Sequence, residues 1–136
     1  MTISFMLLIA VVVIIVVAIV MYMSNQNGSA PAPKVHRTLT PQVYQENFAA
    51  RQHVLLDVRT AEEFNSGHIP GATNIALPDL PQQMNTLPKD QPIVLYCRSG
   101  ARSSSAASML VEAGFEDVHD LGGIIRWQQQ GHPVTK

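Results

Sequence analysis

A single cysteine, Cys97, is all the thiol chemistry available to this chain of 136 residues. It can form no internal disulfide, and one sulfur cannot build a thiolate zinc site. The five histidines, at 36, 53, 68, 119 and 132, are scattered rather than spaced as ligands. Of the six methionines only Met84 and Met109 fall beyond residue 23, which excludes a methionine metal box. No metal and no cofactor is therefore expected. Charge is sparse as well. None of the 9 Lys and Arg or the 10 Asp and Glu precedes Lys34, and the net charge is −1. There is no basic stripe and no alternation of basic and aromatic residues, so nucleic acid is not an expected partner. A lone unpaired thiol fits a reducing compartment.

The absence of charge has a second meaning at the N-terminus. Ile3 to Met23 is almost unbroken apolar sequence, interrupted by Ser4. As a helix rising about 1.5 Å per residue it would extend roughly 31 Å, the thickness of a bilayer's hydrocarbon core. A cleaved signal peptide is the competing reading. It is disfavoured because its apolar region is usually roughly 7–15 residues long and follows basic residues, whereas this run is longer and has no Lys or Arg before it. The small-residue stretch that follows, Ser29 to Pro33, is interrupted by Pro31 and Pro33. The run has no polar face, which argues against a core helix. The expected organisation is a transmembrane helix in residues 1–23, with the span itself at 3–23, a flexible linker at 24–34 and a single domain at 35–136. Lys34 and Arg37, just after the span, favour the cytoplasmic over the periplasmic or extracytoplasmic side for the domain by the positive-inside rule. The span contains no Gly-x3-Gly, so helix pairing has no positive signal.

The domain alternates helical and strand patterns. Thr40 is an N-cap with proline behind it, predicting a helix from Pro41 to about Ala50. Val54-Leu55-Leu56 reads as a strand with Asp57-Val58-Arg59 at its end. Thr60 with Glu63 three residues on is a capping box, opening a short helix that Gly67 ends. Thr73 to Ala76 is a short strand, and Asp79 to Asn85 a weak helical turn. Ile93 to Tyr96 is a strand, Ser103 to Ala113 a helix closed by Gly114, Val118 to Leu121 a strand, Gly122-Gly123 a turn, and Ile124 to Gln130 a final helix. Short strands, apolar on both faces and alternating with helices, predict an α/β fold: a parallel sheet covered by helices. In such sheets the working loops lie at the carboxyl ends of the strands. Two segments qualify, Asp57 to Arg59 and Cys97 to Arg102.

The second segment carries the chemistry. A free thiol titrates near about 8.5, so little of it is thiolate at neutral pH. The loop offers three ways to lower that value. A helix N-terminus faces it, Gly100 lets successive N–H groups converge, and Arg98 and Arg102 add positive charge. A cysteine that only packs needs none of these. Cys97 is thus the candidate nucleophile. Arg98, Ser99, Gly100, Ala101, Arg102 and Ser103 form the candidate anion cradle.

Four segments, in order, resemble the single-domain rhodanese (sulfurtransferase) family. They are Asp57-Val58-Arg59 with Thr60 to Phe64; Gly67-His68-Ile69-Pro70-Gly71-Ala72 with Asn74-Ile75; Cys97 to Ser103; and Leu121-Gly122-Gly123-Ile124 with Trp127. The resemblance implies a five-stranded parallel sheet flanked by helices. It also implies that Cys97 takes a sulfane sulfur as a persulfide and passes it to a thiophilic acceptor. Expected partners are a small anionic sulfur donor such as thiosulfate, a thiol or protein acceptor, and the membrane through residues 3–23. With no second thiol, the sulfur has to leave to another molecule. Related phosphatases and arsenate reductases carry a longer Cys-x5-Arg loop. Here Arg102 makes it Cys-x4-Arg, which disfavours phosphate or arsenate chemistry. A tethered, non-catalytic or sulfur-relay binding module is the alternative of a different class.

Asp57 and Arg59 are read as structural support of the site, with Arg59 meeting Glu63 or a nearby carbonyl. His68 is read as a turn histidine that bonds backbone, in preference to a general base. Trp127 is read as core.

Overall fold

The computed structural model describes residues 2–25 and 36–136; within the first segment, side chains are described from 7 to 22. The chain divides into two compact units, Met1–Pro33 and Lys34–Lys136. The first contains helix α1, Thr2–Asn25, 24 residues without a charge. Among the described residues no helix is long and apolar enough to cross a membrane. Most of the expected linker, residues 26–34, lies outside the described residues.

The second unit is built on five parallel strands: β1 (Arg37–Thr38), β2 (Val54–Asp57), β3 (Thr73–Asn74), β4 (Ile93–Cys97) and β5 (Val118–Gly123). Their order across the sheet is β1-β5-β4-β2-β3, and every pairing is parallel. The helices are α2 (Pro41–Asn47), α3 (Ala61–Ser66), α4 (Leu80–Gln83), α5 (Ala101–Glu112) and α6 (Ile124–Gln129). Alternate residues of the central strands feed two separate cores. Leu56, Ile93, Leu95 and Cys97 face Ala106, Ala107 and Leu110 of α5. Leu55, Val94 and Tyr96 face Tyr44 and Phe48 from the α2 side and Ile124 and Trp127 of α6. Burial on both faces is why β4 reads as a continuous apolar run.

Several elements differ from their sequence expectations. Strand β1, two exposed polar residues, has no apolar pattern to betray it; its pairing with His119 and Asp120 of β5 defines it. Helix α2 stops at Asn47 because Phe48 leaves helical geometry, at φ −121°, and its side chain is buried in the second core. Strand β3 ends two residues early: the Ile75 N–H still donates to Asp57 O in the ladder, whereas the Leu77 N–H donates to Val58 O, beyond the end of β2. Asp79 to Asn85 is broken into α4 and flanking 3₁₀ turns at Leu77–Asp79 and Met84–Thr86, with prolines at 78 and 81 supplying no N–H. Helix α5 begins at Ala101 rather than Ser103, because Gly100 at φ +112° turns the chain directly into it.

Candidate active site

Cys97 is the last residue of β4, the central strand, and is 1% exposed. Its Sγ accepts a hydrogen bond from the Gly100 N–H at 3.0 Å. Gly100 is left-handed, a conformation that costs glycine little and other residues more. Burial pushes the Cys97 thiol up. Hydrogen bonding from the N–H groups of Ser103, Gly100 and Ser99 acts against it, and the thiol lies below its ordinary value. The backbone, more than any neighbouring side-chain charge, favours the anion here.

The loop is held in shape from β5. Gly123 pairs with Cys97 in the sheet, and a Cβ there would stand 2.5 Å from Arg98 O and 2.7 Å from Ser99 Cα. No side chain fits. The register of β4 and β5 slips at Leu95/Tyr96, so that Leu95 faces Asp120 and Tyr96 faces Gly122. Asp120 lies just before the slip, two residues after Val118 and on the same α5-facing side of β5. The buried Asp120 carboxylate accepts from the Ser103 hydroxyl at 2.6 Å and from the Gly122 N–H at 2.8 Å. Gly122-Gly123 was expected as a turn; both glycines are strand residues that form the loop's floor. Asp120 was not singled out from sequence, because nothing in the pattern Val118-His119-Asp120 marks a carboxylate that points inward.

The loop's two outer arginines have different fates. Arg102 was expected in the anion cradle. It instead donates from both terminal nitrogens to Glu63, at 2.7 and 2.8 Å. The Arg102 hydrogen bonds pull the Glu63 carboxyl down to about 2, so the pair is ionised across the physiological range. Glu63 also accepts from the Thr60 N–H as the far half of the capping box. One side chain thereby caps α3 and ties it to α5. Arg98, by contrast, is exposed and takes part in none of the salt bridges among the described residues. Of the two arginines, Arg98 is the cation left available to an anion.

Asp57 and Arg59, at the end of β2, form a buried pair. Arg59 donates to both Asp57 oxygens, 2.6 Å at the shortest, and also to Gly67 O at 2.8 Å. The expected carbonyl contact is present, while Glu63 belongs to Arg102. Asn74 donates to Asp57 O and Arg59 O, fixing the strand end further. His68 has its Nδ1 3.0 Å from Phe64 O, its N–H on Thr135 O, and its ring stacked on Phe64. Those are the contacts of a turn residue. Trp127 is 2% exposed and donates to Pro133 O. An open cleft of about 360 Å³ lies beside the loop, with Arg59, Glu63, Gly67, Arg98, Ile125 and Val134 among its walls. Among the described residues no group of three or more His, Cys, Asp or Glu is arranged to hold a metal ion.

A parallel α/β domain with its one cysteine in an N–H-lined loop at the carboxyl edge of the central strand is a recognisable class. The Rhodanese-like domain family matches residues 40–130. A sulfurtransferase of Allochromatium vinosum is 43% identical over 83 residues, covering 60% of this chain and 78% of that protein. The thiosulfate sulfurtransferase GlpE of Pseudoalteromonas translucida is 40% identical over 76 residues, covering 55% and 72%. Among solved structures, a rhodanese-related protein from Thermoplasma volcanium superposes with a TM-score of 0.67 at 31% identity, covering 74% of this chain and 98% of that one. The chain belongs to the rhodanese-like domain family.

Proposed function

We propose that this chain is a membrane-anchored sulfurtransferase that moves a sulfane sulfur through a Cys97 persulfide. The observation that carries the reading is the Gly100 N–H on the Cys97 sulfur, 3.0 Å away in a Cys-x4-Arg loop. The Cys97 thiolate attacks the outer sulfur of thiosulfate or of a small persulfide. With thiosulfate a new S–S bond forms, the S–SO₃ bond breaks, and sulfite departs with the bonding pair. The persulfide anion remains in the same ring of N–H groups. Arg98 is the free cation that draws the donor dianion and the departing sulfite by charge-assisted hydrogen bonds. Ser99, Gly100, Ala101 and Ser103 shape the ring, while Arg102 and the Asp57–Arg59 pair position it. In the second half-reaction an outside thiophile removes the outer sulfur, returning Cys97 as thiolate.

The protein treated with thiosulfate is expected to gain the mass of one sulfur atom on the peptide containing Cys97, and to lose it to cyanide. No such adduct with thiosulfate or any persulfide donor would overturn the catalytic reading in favour of a tethered binding module.

The proposed anchor takes in residues 3–23, a longer run than residues 7–22, whose side chains are described; among the described residues no helix is long and apolar enough to cross a membrane. Two features support it: α1 is helical over 24 residues without a charge, and from Leu7 to Tyr22 its sequence is apolar all round. A helix with no polar face needs apolar surroundings. The charges that follow the span, Lys34 and Arg37, set the domain on the cytoplasmic side. The full chain is expected to resist extraction from membranes by alkaline carbonate, and its domain to be digested when protease is added to inverted vesicles. Complete extraction would refute the anchor; protection of the domain would refute the orientation.

A further inference from the structure

A second, smaller cleft adjoins the cysteine loop on its β5 side. It has a volume of about 180 Å³ and is walled by Arg98, Ser99, Gly123, Ile125, Arg126 and Gln129, among others. Its charge is one-sided: two guanidinium groups and no carboxylate among its walls. Neither Arg98 nor Arg126 takes part in a salt bridge among the described residues. The other two arginines of the site are committed, Arg59 to Asp57 and Arg102 to Glu63. The cleft is also close to the chemistry. Gly123 in its wall pairs with Cys97 in the sheet, and Ser99 in its wall is two residues from the sulfur. Arg98 and Ile125 belong to this cleft and to the larger one, so the two share a wall.

We propose that this cleft selects the sulfur acceptor, and that Arg126 is a specificity-determining residue that binds a carboxylate carried by an acceptor thiol. The inference rests on the sulfurtransferase reading of Cys97. A pocket of this size takes a carboxylate and a few further atoms, so a small carboxylate-bearing thiol fits it. The acceptor thiol attacks the outer sulfur of the Cys97 persulfide anion. The new S–S bond forms as the bond to Cys97 breaks, the Cys97 thiolate leaves, and the thiol's proton stays on the product persulfide. Arg98 lies on both clefts and serves either half-reaction. Arg126 borders the second cleft alone and has no place in the thiosulfate step. The competing role for Arg126 is structural, since it sits in the last turn of α6, where a cation complements the helix dipole.

The test uses the full chain in mild detergent, with thiosulfate as donor and glutathione, cysteamine or cyanide as acceptor. Glutathione carries two carboxylates, cysteamine an ammonium group, and cyanide measures the donor half-reaction independently of this cleft. Arg126→Ala is expected to raise the KM for glutathione about fivefold, the upper range for an exposed charge pair. It should leave kcat, the KM for thiosulfate and the cyanide activity unchanged, and it should not raise the KM for cysteamine. Arg126→Lys should recover part of the glutathione KM. An unchanged glutathione KM overturns the proposal. So does a rise in the thiosulfate KM, which would assign the cleft to the donor, or an equal loss with all acceptors, which would make Arg126 structural. If the wild type transfers sulfur to cyanide but Arg126→Ala behaves like it with glutathione, only this inference fails. If the wild type transfers to no acceptor, the sulfurtransferase reading fails and this one with it.

Discussion

Cys97→Ser is expected to reduce thiosulfate-to-cyanide sulfur transfer by at least about 10³-fold, the scale on which removal of a covalent nucleophile is felt. The substitution keeps the loop nearly isosteric but removes both functions of the sulfur. A serine hydroxyl is hardly ionised at neutral pH, and it offers no S–S bond in which to hold the sulfane atom. The second function matters more, because the proposed route has two half-reactions joined by that bond. The measurement is thiocyanate formation, with the chain's circular dichroism as a check on folding. Equal rates in the two proteins would sink the mechanism.

Burial raises the Cys97 thiol, and the N–H groups of Ser103, Gly100 and Ser99 bring it below its ordinary value. A lowered thiol pKa means that the thiolate persists at lower pH than in a free cysteine. The rate of alkylation of Cys97 by iodoacetamide should therefore rise with pH to a midpoint below that of a free cysteine measured alongside. A midpoint at or above that value would mean that burial wins, and the loop would then have no claim to activate the sulfur.

Asp57→Ala is expected to destabilise the domain by about 3–5 kcal/mol, the usual cost of removing one partner from a buried ion pair. Asp57 is fully buried and Arg59 is 5% exposed. Without the carboxylate, the guanidinium keeps only Gly67 O and the face of Tyr96, 5.7 Å from the ring centroid. Those cannot offset a buried charge. Domains of this size have a total stability of roughly 5–15 kcal/mol, so the variant should lose a large part of it. A urea titration reads this as a lower midpoint. The double variant Asp57→Leu/Arg59→Leu should recover most of the loss, since two apolar side chains leave no unpaired charge. A loss under about 1 kcal/mol in Asp57→Ala would mean that the pair is not what holds the end of β2.

Both effects trace back to features of different legibility. Cys97 stood out because cysteine is chemically distinctive and its neighbours, Arg98, Gly100 and Arg102, are informative within six positions. The capping box at Thr60 and Glu63 was legible for the same reason: both halves of the reciprocal bond lie within one turn. Asp57 and Arg59 were marked by their place at a strand end, but their partner choice was not. Sequence separation offered Glu63 to Arg59, four residues away, whereas Glu63 is taken by Arg102, 39 residues away. Strand β1 and Asp120 were missed outright. A two-residue exposed strand has no periodicity, and the partner of a carboxylate inside a strand of mixed composition is not known until the sheet brings Ser103, 17 residues away, beside it.

By itself, then, the sequence determined the things that depend on nearby residues. These are the alternation of buried strands and helices, the carboxyl-edge position of the cysteine loop, the loop's length, and an uncharged helix ahead of the domain. The tertiary structure alone decided which charges are free. Four arginines surround the loop and its clefts. Arg59 and Arg102 are neutralised by Asp57 and Glu63, while Arg98 and Arg126 face open clefts and form no salt bridge among the described residues. The reason is physical. An ion pair depends on distances of a few ångströms between groups that the chain brings together only on folding, so the electrostatics of the site exist only once the sheet has aligned β2, β4 and β5.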